Sequence, residues 1–386
     1  MAGRALVLML ACAARSTVRG GGGAPARIGG VLRARARVRL GPPSRAAPPR
    51  VVPLRTALGA YDALLLDQFG VLHDGRVAYA GATSAMRELQ RLARKRIVVL
   101  SNSSKRRIET VNRLHALGLG MCTWLDGSAS VADGVPLISV VTSGDIVWKE
   151  LRARMRAPPP EPAPAPTPAP AREGPADPFA IAGGACIVYG NGDDDDEYVS
   201  SAGCEPADVE RAHFILARGL FEVRTGRGPD GAVPFDARAH GDELLVAAHA
   251  RGLPMIVANP DLVRPDGRDS PMPGVIAARY ERMGGDVRYV GKPHALVYAV
   301  AAAQLRDEGV PPARVVAVGD SMEHDVLGAR RAGLDAILIT GGVHAAELGV
   351  RQGVAETPSA ERLAAFLERY PADEWPTHVC AGFVLD

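Results

Sequence analysis

Three apolar runs in this chain stop in the same manner. They are "ALLLDQF" (63–69), "IVVLSNSS" (97–104) and "ARVVAVGDSMEHD" (313–325). Each is too short and too continuous for an amphipathic helix, and each ends on residues that can do chemistry. Strands of this kind are buried on both faces, which a parallel sheet covered by helices provides. The segments between them agree. "SAMRELQRLARKR" has apolar residues at Met86, Leu89 and Leu92, and "RIETVNRLHALGL" is amphipathic with a glycine stop at Gly118. "LISVVTSGD", "GLPMIVANPD" and "DAILITGGV" read as further strands, the last closing the sheet. The expected class is α/β with a parallel, Rossmann-like sheet.

In such sheets ligands bind outside the carboxyl ends of the strands. Polar residues remote in sequence can therefore meet there: Asp67, then Ser101 and Asn102, then Lys292, then Asp320 with Asp325. The set offers one carboxylate able to act as nucleophile, a hydroxyl donor, an ammonium and two further carboxylates. Hard oxygen ligands beside a cation and donors suit phosphoryl transfer with Mg²⁺. An aspartate nucleophile would split hydrolysis into formation and breakdown of a phospho-aspartate.

On "DQFGVL" (67–72), "VVLSNSS" (98–104), "GKP" (291–293) and "GDSMEHD" (319–325), the chain resembles the haloacid dehalogenase (HAD) superfamily over about residues 57–375. The resemblance implies Asp67 as nucleophile and Mg²⁺ ligand, with the backbone carbonyl of Phe69 and Asp320 as further ligands. It implies that Asp325 reaches the metal through a water, and that Ser101 and Lys292 contact the phosphoryl group, with Asn102 beside them. Only about thirty residues separate Asp67 from Ser101, but nearly two hundred separate Ser101 from Lys292. A cap domain fits only the second gap, which is the C2 arrangement of subclass IIA. "TSGD", "NPD" and "GKP" resemble that subclass, and "FGVLHDG" its uncharacterised members.

The expected organisation is a core at 57–151 and 257–378, an inserted α/β cap at 152–256, and a tail at 379–386. Asn259 and Asp261 would shape the cap hinge or touch substrate. The implied activity is Mg²⁺-dependent hydrolysis of a small phosphorylated metabolite, a sugar phosphate or nucleotide.

Phe69 departs from the family pattern. Its phosphatases have a second aspartate there, which protonates the leaving oxygen and then activates water. Losing such help costs about 10²–10⁴-fold, so a slow enzyme is expected. His73 and Asp74 are near enough in sequence to substitute. An aromatic residue here also suits the superfamily's dehalogenases, but Asp320, Asp325 and the cap position argue against that reading. A non-catalytic binder of phosphate or metabolite is the other alternative.

Composition decides the remaining points. Residues 1–61 hold eleven arginines and no acid or lysine, while the rest carries 34 basic against 43 acidic residues. The basic excess thus belongs to one end, and the body shows no nucleic-acid patch. That end resembles an organelle transit segment, mitochondrial or plastid, and residues 1–56 are set outside the fold; without such a signal the protein would be cytoplasmic. "ALVLMLACAA" also leaves a two-part signal open. No apolar run is long enough for a membrane span. Five scattered cysteines show no metal spacing. "APPPEPAPAPTPAPAREGPADP" (157–178) can pack neither as a helix nor as a central strand and reads as a surface insertion. "GNGDDDDEY" reads as a solvated, self-repelling loop, and Ser103 and Ser104 as helix caps. A homodimer is left open.

Overall fold

The structure is a computed structural model and describes residues 48–91, 95–119, 138–157, 177–263 and 272–385. Most of the Pro-rich insertion, the 1–47 part of the expected targeting segment and residues 92–94 of "SAMRELQRLARKR" lie outside the described residues. The described chain forms two compact units. One gathers Val147–Ile256 and Arg279–Arg288; the other holds the chain up to Ile146, then Val257–Ala278 and the chain from Tyr289 onward.

The second of these is the core. Its strands are β1 (Ala63–Leu66), β2 (Arg96–Ser101), β3 (Ile138–Thr142), β4 (Val315–Gly319), β5 (Asp335–Ile339) and β6 (His378–Cys380). The order β6-β5-β4-β1-β2-β3 places β1 at the centre. Every adjacent pair is parallel, with Leu66 opposite Val318 on one side and Val99 on the other. All four β1 residues and all five β4 residues are buried, which is why both read as unbroken apolar text. Leu64, Leu66, Val99, Val318, Ile337 and Ile339 join Leu72, Met86 and Leu89 in one apolar cluster. Each such side chain contributes about 1.5–3 kcal/mol on leaving water. The Ala295–Asp307 helix buries Val297, Tyr298, Ala301, Ala303 and Leu305.

Four features of the core depart from the sequence reading. The fold starts before residue 57: Val51 bridges to Val379, and Leu54 is 2% exposed. The sheet does not end at "DAILITGGV", because β6 extends it and Phe383 beyond it is buried. Ser143 to Asp145 open a helix, Ser143–Arg156, instead of trailing from a strand. The Arg107–Ala116 helix has Arg106 at its N-cap and no side-chain cap, so neither Ser103 nor Ser104 fills that role.

The inserted unit carries a mixed sheet. Ala185–Gly190 runs parallel to Phe214–Ala217 and antiparallel to Glu222–Arg224, which forms a hairpin with Ala232–Pro234. Met255–Val257 and Val287–Tyr289 extend the sheet beyond Phe214–Ala217, and Glu205–Pro206 pairs with Ala185–Gly190. A parallel core sheet with a second, mixed sheet inserted in the chain is the architecture expected of a C2-type capped fold. The acidic run is not a solvated loop. Asp195 starts the helix Asp195–Ser201, is 2% exposed, and pairs with the fully buried Arg218. A cation 23 residues downstream removes the expected repulsion.

Candidate active site

Asp67 lies one residue past β1, held there by its backbone N–H donating to Val318 O at 2.8 Å. Gly319 ends β4, and Asp320 follows it at the same edge of the sheet. Ser321 begins a tight turn in which its N–H donates to Asp325 Oδ2 at 3.1 Å. Parallel strands thus deliver all three carboxylates to one end, where Asp67, Asp320 and Asp325 offer oxygens within 4.8 Å of one another. Two glycines make the room. A Cβ on Gly70, whose φ is +75°, would sit 1.8 Å from Asp320 Oδ2, and one on Gly342 would sit 2.2 Å from the same atom.

Lys292 enters the same cluster. Its Nζ donates to Asp67 Oδ1 at 2.5 Å and to Asp325 Oδ1 at 2.7 Å. Asn102 fixes the lysine's backbone: Oδ1 accepts from Lys292 N at 2.6 Å, while Nδ2 donates to Lys292 O at 3.0 Å. Nδ2 also donates to Asp261 Oδ1 at 2.7 Å, and Asp261 N donates to Asn259 Oδ1 at 2.9 Å. The sequence-selected residues Asp67, Asn102, Lys292, Asp320 and Asp325 therefore join one network, and Asn259 and Asp261 connect to it through Asn102. Ser101, at the end of β2, is bound to Gln68, the residue after Asp67. Gln68 was not singled out in the sequence. The available signal was a polar amide standing immediately after the strand-end carboxylate.

The electrostatics are unbalanced. Burial pushes the Asp67 carboxyl well above its usual range; Lys292 opposes that shift, and Asp325 and Asp320 add to it. Burial, reinforced by Asp325, raises Asp320 to about 7. Burial alone would discharge Lys292, but Asp325 and Asp67 outweigh it and raise its pKa. Three carboxylates share one ammonium, so the cluster lacks positive charge. This excess of hard, buried oxygen donors fits a small divalent cation.

The two substitutes considered for the missing acid do other work. Asp74 accepts from Arg76 N at 2.7 Å and Val77 N at 2.8 Å and shapes a turn. His73 is fully buried, its ring edge-on to Phe69 at 4.6 Å between centroids. Among the described contacts of Phe69 are this ring pair and a backbone bridge to His73.

Two family patterns match the chain on either side of the inserted sheet: "Haloacid dehalogenase-like hydrolase" at 64–154 and "HAD-hydrolase-like" at 289–366. These patterns place both parts of the core in the HAD superfamily. Chronophin from Mus musculus is 26% identical over 304 residues, covering 76% of this chain and 86% of that protein. A possible sugar phosphatase of the HAD superfamily from Cytophaga hutchinsonii superposes with a TM-score of 0.60 at 17% identity, covering 87% and 99% of the two chains. A 4-nitrophenylphosphatase from Thermotoga maritima gives 0.53 at 22%, covering 85% and 97%. The fold of this HAD hydrolase is thus shared nearly end to end with both solved structures. Among its described residues, no helix is long and apolar enough to cross a membrane.

Proposed function

We propose that this HAD hydrolase is a Mg²⁺-dependent phosphomonoesterase acting on a small phosphorylated metabolite, a sugar phosphate or nucleotide. The observation that carries the reading is the meeting of Asp67, Asp320, Asp325 and Lys292 at the carboxyl edge of the sheet. A carboxylate oxygen of Asp67 attacks phosphorus, and the P–O bond to the alcohol breaks with its electron pair on the leaving oxygen. Water then attacks the phospho-aspartate, releasing orthophosphate and restoring the carboxylate. Ser101 and Lys292 bind the phosphoryl oxygens, and Asn102 holds Lys292 in place. Asp67, the carbonyl of Phe69 and Asp320 would hold Mg²⁺, with Asp325 reaching it through a water. When bound, the ion supplies positive charge against the phosphoryl oxygens.

With Phe69 in place of an acid, the leaving oxygen takes its proton from solvent, and turnover is slow. The same residue favours the second reading, a binder that holds metal and phosphate without turnover. Dehalogenation is disfavoured because it leaves the buried Asp320 and Asp325 without a task. The test is to assay the full chain against a panel of phosphate esters with and without Mg²⁺, beside Asp67→Asn. Metal-dependent phosphate release, lost in the variant, is expected. Binding without release supports the second reading, and halide release from 2-haloacids without metal overturns both.

An organellar address in residues 1–56 is part of this proposal. Val51 and Leu54 are built into the core, so processing that spares the fold must cut before them. Imaging a fluorescent fusion with and without residues 1–47 tests the address.

A further inference from the structure

"DQFGVLHDG" holds two buried polar residues that catalysis as described above does not use, Gln68 and His73. They are 2% and 0% exposed. The chain of contacts through them begins at a backbone group. Gly75 N donates to His73 Nδ1 at 2.9 Å. A ring nitrogen that accepts carries no proton, so His73 is the neutral Nε2–H tautomer. Nε2 then donates, and it faces Gln68 Oε1 at 3.4 Å. That fixes the amide the other way round, with Nε2 of Gln68 donating to Ser101 Oγ at 2.5 Å. Ser103 N also donates to Ser101 Oγ, at 3.1 Å. Both lone pairs of the Ser101 hydroxyl are taken, and its one proton is left to donate elsewhere.

The geometry points to Gln68 and His73 as positioning residues that hold the Ser101 hydroxyl as a hydrogen-bond donor toward the phosphoryl group. This inference rests on the phosphoryl role of Ser101 proposed above and explains why that role is fulfilled. A serine hydroxyl rotates freely and can accept as readily as donate. Fixing it as a donor before substrate arrives is preorganisation, which lowers the cost of reorienting it during phosphoryl transfer. Gly75, with φ at +96°, turns the chain so that its N–H meets the ring. The full burial of His73 agrees, since an unpaired charge on the ring would be costly there. The ring is thus a fixed neutral link in this chain, not a replacement for the acid missing at Phe69.

The test uses the full chain with 4-nitrophenyl phosphate as substrate and orthophosphate as inhibitor. Gln68→Glu is near-isosteric but can only accept from Ser101, which draws the hydroxyl proton away from substrate. It should lower kcat/KM and orthophosphate affinity about 10²-fold, close to the loss in Ser101→Ala. In the Ser101→Ala background it should cost nothing further, whereas a general effect of the added charge would persist there. Gln68→Met, which neither donates nor accepts in this way and adds no charge, should fall between wild type and Gln68→Glu and covers the case in which the latter fails to fold. The ¹⁵N shifts of His73 should show the Nε2–H tautomer. An Nδ1–H tautomer or losses that multiply in the double variant overturn the inference. If Ser101→Ala is impaired and both Gln68 variants match wild type, the inference alone falls. If Ser101→Ala itself matches wild type, the phosphoryl role of Ser101 falls and takes the inference with it. A protein that binds orthophosphate without turnover is read by the same order of affinities.

Discussion

Each unit of this molecule buries a cluster of charge. In the inserted unit, Arg218 is fully buried, with Nη1 2.5 Å from Asp195 Oδ1 and Nη2 2.9 Å from Asp194 Oδ2. Its guanidinium stacks on Tyr198 at 3.7 Å, and Asp195 Oδ2 accepts from Gly192 N at 2.7 Å. Asp194 keeps 24% of its side chain in water, so only Asp195 is a fully buried carboxylate with the arginine as its counter-ion. In the core, the buried Asp67 and Asp325 share Lys292, and the third buried carboxylate, Asp320, is met by the Val343 N–H at 2.7 Å instead of by a cation. The first cluster is compensated by its own side chains and ties a strand end to a helix. The second is left short of positive charge. A fold keeps such a deficit where a ligand supplies what is missing.

The largest effect expected breaks this contrast if it fails. Asp67→Asn should cut phosphate release by about 10⁴-fold or more while leaving the protein folded, as followed by ester hydrolysis and circular dichroism. A variant that keeps its activity would make the core cluster as structural as that of Arg218. Phe69→Asp runs in the opposite direction. Phe69 is only partly buried, so the change is sterically tolerable, and it restores an acid beside the nucleophile. Turnover should rise by about 10²–10⁴-fold. An unchanged rate would show that leaving-group protonation does not limit this scaffold.

The two clusters were unequally legible in sequence. The core acids stood at the ends of long apolar runs, and the strand-end rule brought them together without any knowledge of contacts. Arg218 also ends an apolar run, but its partners lie in "GNGDDDDEY", which looks self-repelling until a cation from another strand is placed among the acids. Sequence text carries spacing, not such cross-strand pairing. β6 escaped for a different reason. His378–Cys380 is only three residues long, follows Pro376, and has no helical pattern of its own. Val51 was hidden in an Arg- and Pro-rich stretch whose composition outweighed its few apolar residues. The chain from His73 through Gln68 to Ser101 was unreadable because it depends on which ring nitrogen faces Gly75.

Arg218→Met sharpens the contrast from the structural side. Removing the guanidinium strands a buried Asp195, and breaking a buried pair by deleting one partner costs about 3–5 kcal/mol. The loss should appear as a lower denaturation midpoint. Mg²⁺-dependent hydrolysis per folded molecule is expected to persist, since the substitution leaves the core carboxylates in place. Loss of fold-normalised activity with no loss of stability would invert the assignment of the two clusters.

Asp320→Asn makes the corresponding change in the core and should move stability the other way. The amide oxygen can still accept from Val343 N–H, so the local backbone contact survives. One of three crowded negative charges disappears, and with it part of the repulsion that, added to burial, raises the Asp320 carboxyl to about 7. The metal-free variant should be more stable than metal-free wild type by about 1 kcal/mol, which is roughly 3 °C in Tm. Adding Mg²⁺ should close the gap from the other side. A ligand at a hundred times its Kd stabilises wild type by about 2.7 kcal/mol, and the variant should gain far less. Two thermal scans of each protein, with and without the ion, therefore separate a carboxylate kept for a cation from one kept for the fold. A metal-free Asp320→Asn that melts well below wild type would place this aspartate with Asp195, as part of the scaffold.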